Sequence, residues 1–195
     1  MTAESVQHLW PVPPQDGYTV DDLLTLPDLP PHTELIDGSL VFVSPRREFH
    51  SVVIDLLVAG LRQEAPPSLR VRREMTVVLD RRSAPEPDLC VVRAEAVTGP
   101  GLTRFDAADV LLAVEVVSPD SLARDTQTKP IKYARAGIPH FWLVDQDPRS
   151  GLPVVRTYER EPVTHSYVPI GTFHDTLKTD VPFPVSLDLT VIDRM

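Results

Sequence analysis

With 195 residues, 42% hydrophobic and 24% charged, the chain has the composition of one soluble domain of about 150 to 200 residues with a real core. A formal charge of -9, relieved only by scattered arginine groups (Arg46-Arg47, Arg70 with Arg72-Arg73, Arg81-Arg82), argues mildly against a tight, non-specific grip on nucleic acid. The single cysteine, Cys90, excludes an intrachain disulfide and a cysteine-built zinc site. No run approaches the ~20 apolar residues of a membrane span, and Met1-Thr2-Ala3-Glu4-Ser5 does not have the form of a secretory signal. A cytoplasmic protein without a membrane partner is expected.

Residues 1–17 hold several prolines and little periodicity and are expected to form a loose arm before one domain over residues 18–195. Val20 to Leu26 suggests a short helix ended by Pro27. Asp37-Gly38, between the apolar residues of Glu34-Leu35-Ile36 and Leu40-Val41-Phe42-Val43, is a hairpin signal, because both turn residues tolerate positive φ. Val52, Val53, Leu56, Leu57 and Leu61 recur at helical spacing and predict a helix from Glu48 to about Glu64, closed by Pro66-Pro67. Arg70 to Leu79 reads as one strand, and Gly99 to Ala108 as a loop or short helix. Asp120 to Ala136 reads as mostly helical with Gly137 as its stop. Phe141-Trp142-Leu143-Val144 is a buried strand, and the tail alternates strand-like pieces (Val154 to Tyr158, Ser166 to Ile170) with turns. The order predicts a mixed α/β domain with one central sheet, extended by antiparallel strands.

Two acids stand inside apolar, strand-like runs: Asp88 in Pro87-Asp88-Leu89-Cys90-Val91-Val92, and Glu115 in Val110-Leu111-Leu112-Ala113-Val114-Glu115-Val116-Val117. A carboxylate there must leave water unless a partner or a cation compensates it. Two of them, on candidate neighbouring strands, suggest a cation site. Magnesium-dependent cleavage of phosphodiesters asks for hard oxygen ligands beside the scissile phosphate and an amine nearby. The chain offers Glu34, Asp88 and Glu115 as carboxylates, and Lys129 and Lys132 as amines.

Several strings, in order, resemble the Uma-type restriction endonucleases, bacterial proteins of the PD-(D/E)XK nuclease superfamily. They are Glu34-Leu-Ile-Asp-Gly38, the helix bearing His50, Pro87-Asp88, Glu115-Val-Val-Ser-Pro119, Asp125-x3-Lys129-x3-Tyr133-Ala134-x2-Gly137 and Phe141-Trp142-Leu-Val-Asp145. The resemblance covers roughly residues 20–160. It implies a restriction-endonuclease-like fold, a central mixed β-sheet flanked by helices, here with a β-rich C-terminal extension. It also implies a Mg2+ (or Mn2+) site with Asp88 and Glu115 as metal ligands, Glu34 as an assisting acid and ligand, and DNA as substrate. A homodimer is a further assembly it allows. The superfamily's usual lysine stands two residues after the second acid, where this chain has Val117; Lys129 on the following helix matches the family's replacement.

Other residues carry plainer readings. Tyr133 lies on the same helical face as Lys129, with core packing favoured over substrate contact, and Lys132 reads as a solvated helix residue. For His50, a helix-end or surface role and a role at the site both stand. Pro130 either opens a helix starting near Lys129 or kinks a longer one. Ser118 lacks a nucleophile-elbow setting and reads as a turn or cap residue. The function expected is a metal-dependent endodeoxyribonuclease with Asp88, Glu115, Lys129 and Glu34 at its centre. The alternative is a catalytically weak or inactive nuclease-fold protein that binds nucleic acid or a partner protein.

Overall fold

The computed structural model describes residues 12–194, so the expected arm over residues 1–17 lies mostly outside the described residues. Thr19 caps the short helix α1 (Val20–Thr25) through a reciprocal pair of bonds with Asp22. Strands β1 (Glu34–Ile36) and β2 (Ser39–Val41) form the hairpin, with Asp37 and Gly38 both at positive φ (51° and 79°) in the two-residue turn. Helix α2 (Glu48–Glu64) has the predicted bounds. After it come β3 (Leu69–Arg73), β4 (Thr76–Val78), β5 (Leu89–Arg93), β6 (Arg104–Asp106) and β7 (Val110–Val116). A π-helical turn, Arg124–Thr128, runs straight into α3 (Lys129–Arg135), with Pro130 in the first turn and Gly137 at φ 94° just past the end. Strands β8 (His140–Gln146), β9 (Pro153–Arg160), β10 (Tyr167–Phe173), β11 (Thr176–Thr179) and β12 (Val185–Asp188) complete the chain with a 3-10 turn over Leu189–Arg194.

The main sheet has six strands in the order β10-β9-β8-β7-β5-β3, antiparallel except for the β7–β8 pair. The parallel pair needs a crossover, which the π-turn and α3 supply. Successive side chains of β7 point to opposite faces. Leu112, Val114 and Val116 join a core with α2, β12 and the final 3-10 turn, and Ala113 joins the core on the other face with Tyr133 of α3. By the same alternation Glu115 belongs to the α3 face, which is why a charged residue within a buried strand meets α3 rather than the apolar α2 layer. Cys90, wholly buried in that second core, has its thiol pushed up to about 12 by burial. Thiol reagents are therefore expected to leave the folded protein untouched at about pH 8 and to label Cys90 only at the rate of unfolding. A rapid stoichiometric reaction without denaturant would contradict this burial.

Two elements differ from the expectation. The single strand predicted over residues 70–79 is broken at Glu74, which adopts φ 53° and gives its N–H to the Asp88 carbonyl. That left-handed residue turns β4 out of the main sheet to pair in parallel with β6, so the segment expected as loop or helix contains a strand. The tail only partly extends the sheet: β9 and β10 do, and β11 and β12 form their own hairpin. No helix among the described residues is long and apolar enough to cross a membrane.

Candidate active site

The main-chain layout brings Glu34, Asp88, Glu115 and Lys129 to one cavity of about 60 Å³, although they come from four separate parts of the chain. Asp88 immediately precedes β5, beside β7, and its Oδ2 accepts the Val116 N–H at 2.7 Å. Its Oδ1 meets Arg46 at 2.5 Å and His50 Nε2 at 3.1 Å. Glu115 takes the Tyr133 hydroxyl on Oε1 at 2.6 Å and the Lys129 ammonium on Oε2 at 3.0 Å. Lys129 also reaches Glu34 Oε1 at 2.8 Å and Asp125 Oδ1 at 3.5 Å. Glu34 itself, on β1, is fixed by the Glu86 N–H at 2.8 Å.

The lysine displaced onto a helix therefore does reach back over the sheet. The π-turn winds wider than an α-helix, and both Asp125 and Lys129 of this segment are buried. His50 is buried beside Asp88 rather than exposed at the surface. Tyr133 packs its ring in the core near Phe141, as expected, and its hydroxyl donates to Glu115, a role the sequence did not suggest. Lys132 is not merely solvated. It pairs with Asp37 of the hairpin turn and bonds Ser83, tying α3 to β1–β2. Ser118 makes turn contacts with Ser121, as expected.

Sequence reasoning singled out neither Arg46 as a partner of Asp88 nor Asp125 as a buried acid of the site. The Asp125-x3-Lys129 spacing, one helical turn, was the available signal for the second. Nothing local foretells the first, because 42 residues separate Arg46 from Asp88.

The electrostatics are those of surplus acid. Glu34, Asp88, Glu115 and Asp125 are four buried carboxylates, and among the described residues the basic side chains that pair with them are Lys129, Arg46 and, on Asp88, His50. Burial pushes Glu115 well above the usual carboxylate range; Lys129 opposes the shift, and the charges of Asp125, Asp88 and Glu34 add to it. Asp125 is raised for the same leading reason. Burial also raises Asp88, but hydrogen bonding and charge from His50, with Arg46 and Lys129, outweigh it and hold that carboxyl low. Burial pulls Lys129 down, and the surrounding acids more than reverse this, so it stays an ammonium.

Among the described residues, no three His, Cys, Asp or Glu side chains already converge as a cation cage. The donor chemistry nevertheless fits a hard divalent cation: the acids offer carboxylate oxygens, and they outnumber the lysine and arginine side chains paired with them. Arg46 on Asp88 and Lys129 on Glu115 and Glu34 balance part of this acid.

A family model described as "Putative restriction endonuclease", the Uma2 family, matches residues 20–191. The chain belongs to the Uma2 family. Among curated proteins no relative matches it significantly. A solved structure, of "a putative nuclease belonging to DUF820 from Anabaena variabilis ATCC 29413", superposes with a TM-score of 0.68 at 19% identity, covering 89% of this chain and 96% of that one. At that identity the likeness shows the fold, a nuclease-type mixed sheet with flanking helices. Membership of Uma2 places the chain in a family of nucleases, hydrolases acting on nucleic acid. Families with this fold typically use divalent metals.

Proposed function

We propose that this Uma2 protein is an endonuclease that hydrolyses DNA phosphodiesters with Mg2+ or Mn2+. The observation that carries the reading is the meeting of Asp88, Glu115 and Glu34 with the Lys129 ammonium in one buried, acid-rich cavity. Asp88 and Glu115 would hold the cation, with Glu34 assisting directly or through water. When bound, the cation supplies neutralisation of the phosphate charge and activation of water. Lys129, held as an ammonium, is suited to orient the attacking water and to face the charge that develops as the P–O bond breaks. It does not serve as the base. Tyr133 keeps its proton, because burial and the Glu115 charge raise it well above the ordinary phenol range, and so it fixes the Glu115 carboxylate as a donor.

The test is a Mg2+ and Mn2+ titration on supercoiled plasmid, with Glu115→Ala and Asp88→Asn alongside. Metal-dependent nicking that both variants lose by at least about a thousandfold is the expected result. Retained activity in Asp88→Asn would remove the metal-ligand assignment. One observation favours the non-cutting reading: both oxygens of Asp88 and both of Glu115 are already engaged by protein donors. Cation binding without cleavage would support that reading.

A further inference from the structure

Arg124 lines the acid-rich cavity, yet it pairs with none of the carboxylates there. Arg46 is bound by Asp88 and Glu74, and Lys129 by Glu34, Glu115 and Asp125. Arg124, among the described residues, forms no ion pair, and its Nε is buried without a hydrogen-bond partner. A guanidinium stays charged at every accessible pH, and a buried N–H without an acceptor is unfavourable. Beside a cluster of surplus acid, a guanidinium that no carboxylate holds suits an anionic acceptor from outside the chain.

Its place in the chain fits such an acceptor. Arg124 opens the π-turn whose next residue is Asp125 and whose following helix begins with Lys129. The turn is anchored by the Asp125 N–H on the Ser121 carbonyl at 2.9 Å, and Ser121 in turn bonds Ser118. Arg124 is thus carried on the same support as the candidate lysine, and lines one cavity with it. The planar fork of a guanidinium matches two oxygens of a phosphate better than an ammonium does.

We propose that Arg124 is a substrate-binding residue that grips the non-bridging oxygens of a nucleic-acid backbone phosphate at the cavity. The inference rests on the nuclease reading above. It adds a phosphate contact distinct from Asp88, Glu115, Glu34 and Lys129. Because Arg124 holds no acid of the cluster, its loss should leave cation binding and folding intact.

The experiment measures binding of a fluorescein-labelled DNA duplex by anisotropy, over a salt series with Ca2+ as the cation, for wild type, Arg124→Ala and Arg124→Lys. Calorimetric titration of Ca2+ and a thermal melt accompany each protein. Arg124→Ala is expected to bind the duplex at least about tenfold more weakly, the worth of one charge-assisted contact, with a log K against log[salt] slope shallower by about 1. Its Ca2+ affinity and Tm should match wild type. Arg124→Lys should restore the salt slope but only part of the affinity. Wild-type affinity and slope in Arg124→Ala would overturn the proposal while leaving the nuclease reading in place. A parallel loss of Tm and Ca2+ binding would make Arg124 a structural residue and overturn it equally. A wild-type protein that neither binds nor cuts DNA would instead remove the nuclease reading, and this inference with it.

Discussion

Lys129→Met is expected to lower the unfolding free energy in EDTA by about 3–5 kcal/mol, the usual effect of removing one partner from a buried ionic cluster. The ammonium is buried and is the only cation ion-paired with Glu34, Glu115 and Asp125 among the described residues. Methionine has a similar length and no charge, so the change removes the charge with little change in packing. Carboxylates left buried without it would bind protons more tightly folded than unfolded. The folded chain then holds more protons, and stability falls as pH rises from the unfolded carboxylate pKa to the raised folded one. The deficit should therefore be largest near about pH 8 and narrow near about pH 5. Urea unfolding at both values measures it. A deficit under about 1 kcal/mol, or one that does not change with pH, would mean that Lys129 does not carry the charge balance of the cavity. Catalysis should fail with it, and the double variant Lys129→Met with Glu115→Gln should recover part of the stability but none of the cleavage.

Much of this arrangement was legible in the sequence because it is local. The hairpin rested on Asp37-Gly38, whose backbone preference needs no tertiary help, and α2 on apolar spacing alone. The pairing of the Asp88 and Glu115 segments followed from two apolar runs with a misplaced charge in each. What could not be read depended on distant partners or on unusual backbone. Glu74 takes a left-handed conformation that its residue type does not announce, so the break between β3 and β4 and the β4–β6 pair stayed hidden. The π-turn over Arg124–Thr128 has no composition of its own, yet it leads into the helix whose first residue carries the ammonium to the acids. Arg46 resembled an ordinary solvated arginine until the fold brought Asp88 beside it.

Mg2+ or Mn2+ at about 100 times its dissociation constant is expected to stabilise the protein by about 2.7 kcal/mol, if the acids hold the cation only when folded. For a chain of 195 residues this corresponds to a rise in Tm of about 5–10 °C. The reason lies in the surplus charge: burial already forces Glu115 toward its neutral form, and a cation removes that penalty by replacing a proton with a stronger counter-charge. Glu115→Gln removes the same charge by substitution. Its amide oxygen can still accept the Tyr133 hydroxyl, and Lys129 keeps Glu34 and Asp125. The variant should therefore melt above wild type in EDTA, gain little from added cation, and cut no DNA. Thermal melts with and without each cation test this directly, and Ca2+ serves as a hard cation of different size. A wild-type Tm that ignores millimolar Mg2+ and Mn2+, or a Glu115→Gln protein that responds as wild type does, would sink the assignment of Glu115 as a ligand. An acid kept only for the fold would lose stability when neutralised, whereas an acid kept for a cation gains stability and loses activity in the same substitution.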